Sequence, residues 1–221
     1  MKPWVTLARA RTPDGEFLEL RQHDTDFVIR AEGYDLMISR AHGSEEAMVA
    51  LAMPAPASGA TVLVGGLGMG YTLAAVLAHV DARSSVVVGE LIPEVIEWNR
   101  GPLAPLAGHP LDDPRTEVVQ DDVRRIIFAA RERFDAILLD VDNGPDAFTQ
   151  RANVGLYTPA GLEAARRALK PGGALAVWSV GAEATFERRL RRAGFEASTH
   201  RVAAHGKRGR THVVFVGRRP G

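Results

Sequence analysis

The segment LLDVDNGP is apolar until Asp140 and polar from there, with Asp142, Asn143 and the breaking pair Gly144-Pro145 close behind. Asp140, Asp142 and Asn143 therefore stand where a buried strand gives way to a loop. Two carboxylates and an amide in that position can serve a reacting amine, a bound cofactor or the cap of a following helix. Capping accounts for one carboxylate. It does not account for both, and three other strand ends carry residues of the same kind.

The first of these is Gly65-Gly66-Leu67-Gly68-Met69-Gly70, where glycines allow a tight turn and let a ligand reach the amides of a helix N-terminus. Counted from Gly66 and Gly68, the dinucleotide fingerprint requires its third glycine where Tyr71 stands, and GxxxxGK[ST] is absent. Neither NAD nor a nucleoside triphosphate suits this loop. The second is Glu90, ending VVVGE one strand–helix–strand unit later, where a carboxylate can accept both hydroxyls of a ribose. The third is Asp121-Asp122 after TEVVQ, where one acid can receive an adenine amino group while its neighbour caps the next helix. Together the three ends suit an adenosine that carries something other than phosphate.

The elements that must hold these ends follow from periodicity. From Thr61 onward, apolar runs (TVLVGG, SVVVGE, TEVVQ, DAILLD, ALAVWS) alternate with amphipathic stretches (TLAAVLAHV, PEVIEWNR, DDVRRIIFAAR, the helix opened by Thr158-Pro159 and closed by KPGG, and ATFERRLRRAGF). The segment EASTHRVAA–HGKRGR–THVVFVG then predicts an antiparallel hairpin. The expected fold is α/β: a Rossmann-like, doubly wound, seven-stranded and mostly parallel sheet with a C-terminal hairpin, occupying 44–221. Residues 1–43 predict a small antiparallel β-appendage, with Pro13-Asp14-Gly15 as a hairpin turn. SEEAMVALA predicts a helix with Ser44 as its N-cap.

Bulk properties exclude several classes. With no cysteine in 221 residues, there is neither a disulfide framework nor a thiolate site, which fits a reducing, cytoplasmic setting. The N-terminus lacks a signal-peptide core. Met48–Val80 carries no formal charge, but seven glycines and prolines divide it, so no membrane span is expected. The seven histidines show no metal-ligand spacing, so no metal is expected; only His42, just before Glu45-Glu46, draws attention. Residues 181–221 hold ten Arg/Lys against three Glu without interleaved aromatics, which points to a solvated face rather than nucleic acid. Exposed sheet edges in the appendage favour a homodimer.

These residues resemble a known family. GGLGMGYTLAAVL, VVVGELIPEVIE, DPRTEVVQDD, FDAILLDVDNGP and LYTPAGLEAARRALKPGGALAVWS follow the order and spacing of spermidine synthases, the polyamine aminopropyltransferases, within the class I S-adenosylmethionine-dependent methyltransferase fold. The resemblance implies that Gly66, Gly68 and Gly70 wrap the methionine-derived tail, that Glu90 holds the ribose and Asp122 the adenine, and that Asp140 begins the catalytic loop. It implies S-adenosylmethionine or its decarboxylated form as co-substrate and an amine or polyamine as acceptor. The chain departs from the family at three places. Gly68 and Met69 bracket the position of a glycine-loop Asp; Asn143 takes the place of the second catalytic Asp, with Asp142 one position early; and Glu45-Glu46 replace a Tyr-Gln pair.

Sulfonium chemistry needs an aligned nucleophile and, for an amine of pKa about 10.4, a base to receive its proton. Asp140 and Asp142 are the expected bases and Asn143 an orienting contact, with Glu45, Glu46 and Asp146 as an acidic approach. A methyltransferase with another acceptor and a non-catalytic nucleoside-binding protein are the alternatives that use the same pocket.

Overall fold

The computed structural model describes residues 3–13, 15–31, 33–40, 42–140, 153–181, 185–205 and 208–221. Four short strands come first, β1 (Val5–Arg11), β2 (Phe17–His23), β3 (Asp26–Ala31) and β4 (Tyr34–Ile38), paired antiparallel in sequence order. Then come α1 (Gly43–Ala52), β5 (Thr61–Gly65), α2 (Tyr71–His79), β6 (Ser85–Glu90), α3 (Pro93–Arg100), β7 (Thr116–Gln120), α4 (Val123–Ala129) and β8 (Phe134–Leu139). The chain continues with α5 (Pro159–Ala168), β9 (Leu169–Ser179), α6 (Phe186–Arg192), β10 (Glu196–His205) and β11 (Arg208–Arg218). No helix among the described residues is long and apolar enough to cross a membrane.

The large sheet has the order β10-β11-β9-β8-β5-β6-β7. Strands β5 to β9 run parallel, and β10 and β11 form the antiparallel hairpin at one edge. The chain leaves the centre at β5, builds outward through β6 and β7, and returns on the other side with β8. The order therefore reverses between β5 and β8, where α/β sheets open their ligand crevice.

Strand periodicity of two sorts the side chains into two cores. Val62 and Val64 of β5, Val86 and Val88 of β6, Leu138 of β8, Ala176 of β9 and Val214 of β11 join one cluster with residues of α1, α2 and α3. Leu63, Val87, Ile137, Leu139, Val177 and Phe215 join the other, with residues of α4, α5 and α6. Such continuous apolar strands require cover on both faces, as the sequence led us to expect. The first cluster also takes in Leu18, Leu20, Phe27 and Ile29, so the small sheet shares a core with the large one.

Two local expectations are corrected. Ser44 is not the N-cap: α1 starts at Gly43 behind His42, and the Ser44 hydroxyl, fully buried, donates to the Glu45 carboxylate at 2.7 Å. KPGG does not close α5, which ends at Ala168 with Leu169 already extended and paired to Phe134. The two glycines instead shape an irregularity inside β9. Gly172 has φ 79°, and a Cβ on Gly173 would lie 2.9 Å from the Lys170 carbonyl oxygen.

Candidate active site at the carboxyl ends of the strands

Parity decides which strand ends share a face. Glu90 continues the row of Val86 and Val88, Asp140 that of Ala136 and Leu138, Trp178 that of Ala174 and Ala176, and His212 that of Val214 and Val216. All four belong to the side of the sheet covered by α1, α2 and α3.

The glycine loop after β5 is held from several directions. Gly66, Gly68 and Gly70 have φ of 85°, 52° and 83°, values that disfavour a side chain. Glu90 accepts hydrogen bonds from the backbone N–H of Leu67 at 3.0 Å and of Ile92 at 2.9 Å, tying the loop to the start of α3. Burial pushes the Glu90 carboxyl above its ordinary range, while these bonds act in the opposite direction. The backbone of Leu91 also acts on this carboxylate, so at least two of its roughly four acceptor sites are used within the chain. Asn99, fully buried on α3, donates to the carbonyls of Gly68 at 2.8 Å and Val95 at 2.9 Å. Met69 is fully buried, and the Met37 sulfur lies 2.6 Å from where a Gly68 Cβ would stand, so this turn is apolar where the family carries an acid.

At the end of β7, Asp122 caps α4, accepting from the N–H of Arg124 at 2.8 Å. Asp121 accepts from the N–H of Asp122 at 2.8 Å and pairs with Arg125 at 3.3 Å. Of the two adjacent acids, capping therefore falls to Asp122.

Asp140 is anchored by its backbone, whose N–H donates to the Gly65 carbonyl at 3.0 Å, and its carboxylate accepts from the Thr72 hydroxyl at 2.9 Å. Burial raises its pKa, and the Thr72 bond partly offsets that. Asp142, Asn143 and Asp146 lie outside the described residues.

The acidic pair on α1 divides because adjacent helical residues point about 100° apart. Glu46 is exposed, 3.6 Å from His42, whereas Glu45 is buried at 5% exposure. Burial first, then the charge of Asp140, pushes the Glu45 carboxyl up to about 7. Tyr71 donates its hydroxyl to the Ser39 carbonyl at 2.8 Å and stacks on His42 with ring centroids 4.5 Å apart. The phenol pKa is raised by burial and by Glu45.

Several residues of this site carry no motif: Ser44, Thr72, Asn99, Met37 and His212. Nδ1 of His212 lies 3.2 Å from the Ser44 hydroxyl, and its ring meets Trp178 edge-on at 4.6 Å. The strand parity of β11 was the one available clue to His212. Among the described residues, no group of three His, Asp or Glu is placed to hold a metal ion.

A family model described as the spermine/spermidine synthase domain matches residues 41–189. Polyamine aminopropyltransferase 2 of Pseudomonas aeruginosa is 35% identical over 136 residues, covering 60% of this chain and 37% of that protein. The polyamine aminopropyltransferase of Pyrobaculum neutrophilum is 31% identical over 165 residues, covering 71% of this chain and 55% of that protein. The chain thus spans little more than half of one relative's length and less of the other's. In the fold alone, spermidine synthase from Thermotoga maritima superposes with a TM-score of 0.75 at 20% identity, covering 96% of this chain and 72% of that one. A spermidine synthase complexed with the transition-state analogue AdoDATO gives 0.73 at 19% identity, with the same coverage of both chains. By the family model, which covers well over half of its residues, this chain belongs to the spermine/spermidine synthase family.

Proposed function

We propose that this chain is an aminopropyltransferase that takes decarboxylated S-adenosylmethionine as donor and a di- or polyamine as acceptor. The observation that carries this reading is the meeting of Asp140 with Glu45 beside the glycine loop, a half-buried and a buried carboxyl whose proton affinities are both raised. Such a pair attracts a cationic amine and has the capacity to take up its proton. The names of the relatives, polyamine aminopropyltransferase in both cases, support the same reaction. The donor's sulfonium supplies an electrophilic carbon with a neutral leaving group. The protein then has to align the amine and receive a proton.

In this reading Glu90 holds the ribose, Asp121 and Asp122 face the adenine, and Gly66, Gly68 and Gly70 line the tail. Asp140 is the base, with Asp142 and Asn143 as acceptor-side contacts in the segment that follows. The setting is cytoplasmic, and the assembly is a homodimer. The exposed Val5, Phe17 and Tyr34 on the small sheet support association, which sedimentation would detect.

The test is release of methylthioadenosine from decarboxylated S-adenosylmethionine and putrescine or a longer amine. Turnover is expected, and Asp140→Asn should lower kcat about 10²- to 10⁴-fold while leaving nucleoside affinity within a fewfold. Tight nucleoside binding without turnover of any amine would remove the assignment. Methyl transfer from the carboxylated donor would replace it with a methyltransferase.

A further inference from the structure

Aminopropyl transfer leaves a proton in the acceptor pocket. The amine lone pair forms the C–N bond, the C–S electron pair stays on sulfur, and the new ammonium must shed one proton. Asp140, which is half-buried, and Glu45, which is 5% exposed, can take it. Both must be cleared before the next turnover.

One chain of contacts leads out. The Ser44 hydroxyl lies 2.7 Å from Oε2 of Glu45, and on its other side is 3.2 Å from Nδ1 of His212. Ser44 is 1% exposed and caps nothing, since the N-cap position belongs to His42. A buried hydroxyl inside the first turn of a helix, linking a carboxyl to an imidazole, is costly unless both partners use it. His212 is half-buried on β11, edge-on to Trp178, and the adjoining Thr211 is exposed. Imidazole is the side chain whose ordinary pKa lets it accept and release a proton near neutrality.

On the reading of this site as an aminopropyltransferase, we propose that Glu45, Ser44 and His212 form a proton-exit relay from the acceptor pocket to the rim of the sheet. The proton passes from the ammonium to the Asp140–Glu45 pair. Protonated Glu45 then donates to Ser44 Oγ while the Ser44 hydroxyl hydrogen moves to His212, and the imidazolium loses a proton to water. Rotation of the hydroxyl resets the relay, and no net charge remains. Among the described residues, the titratable groups facing Glu45 are Asp140 after β8, Tyr71 from α2, Glu46 on its own helix and, through Ser44, His212 from β11. His42 faces it indirectly, stacked on Tyr71. Ser44 and His212 touch no reacting atom in this scheme; they act through Glu45.

Two measurements test the relay. In steady state, Ser44→Ala and His212→Ala should lower kcat tenfold or more with the amine KM within twofold. Added imidazole should restore His212→Ala at least halfway and leave Ser44→Ala slow. Unchanged kcat in both variants, or a loss in His212→Ala that imidazole does not relieve, would overturn the relay. Independently of turnover, NMR titration of His212 should shift by several tenths of a pH unit in Glu45→Gln and in Ser44→Ala. Superimposable His212 titrations in wild type and both variants would overturn the relay whether or not the protein transfers aminopropyl groups. Absence of methylthioadenosine release by the wild type would reject the aminopropyl assignment alone.

Discussion

At the scale of single residues, the proposed chemistry rests on Glu45, buried beside the half-buried Asp140. Glu45 has its pKa raised from 4.5 to about 7, so the folded state binds a proton that the unfolded chain releases. Between those pH values the folded protein carries more protons than the unfolded one, and stability falls as pH rises. The loss is at most about 3 to 4 kcal/mol, since a tenfold change in proton affinity corresponds to about 1.4 kcal/mol. Glu45→Gln should abolish that slope and leave the variant more stable than wild type above pH 7, as measured by urea unfolding at a series of pH values. A slope that persists in the variant would assign it to another group. The same titration predicts an acid limb near pH 7 in the kcat profile of the wild type, because Glu45 can take up the amine proton only when it is itself ionised. The limb should move in Glu45→Gln.

The elements set the precision with which those residues meet. Gly70 begins α2 with φ 83°, and a Cβ there would lie 3.0 Å from the Asn99 side-chain oxygen and 3.2 Å from Pro110. Gly70→Ala should therefore destabilise the protein by about 1–2 kcal/mol from backbone strain alone and weaken nucleoside binding, read by chemical denaturation and calorimetry. Asp122 poses a different question, because a cap and a ligand contact can share one carboxylate. Asp122→Ala should cost about 1 kcal/mol of stability through the lost cap, and Asp122→Ser should recover most of it. If Asp122 faces the adenine, nucleoside affinity falls in both variants. If it only caps, affinity follows the helix and returns with serine.

For the whole molecule, the reversal of strand order between β5 and β8 places a glycine turn, Glu90 and Asp140 around one crevice, and α1 packs beside it against α2, β8 and β9. The end of the chain locks α1 in turn: the Arg218 guanidinium donates to the carbonyls of Leu51 at 3.0 Å and Ala52 at 3.3 Å, at the C-terminus of that helix. A ligand that binds only the closed fold must stabilise all of it. Methylthioadenosine or the decarboxylated donor at a hundred times its Kd should add about 2.7 kcal/mol to unfolding, visible as a raised Tm, whereas NAD should leave Tm unchanged.

The alternation of apolar β-runs with amphipathic helices, the glycine turn and the acids at strand ends were all legible in the sequence. These features are local, since periodicity and turn chemistry act within a few residues. They determined the sheet, its hairpin and the positions of Gly66, Gly68, Gly70, Glu90, Asp122 and Asp140. What only the tertiary structure decided is which distant side chains meet there. Glu45 and Glu46 are indistinguishable by residue type, and helix rotation buries one and exposes the other. Ser44 reads as a cap until the fold places His212, 168 positions away, beside its hydroxyl. Proton affinity and hydrogen bonding depend on separation in space, which the chain sets only when sheet and helices have packed.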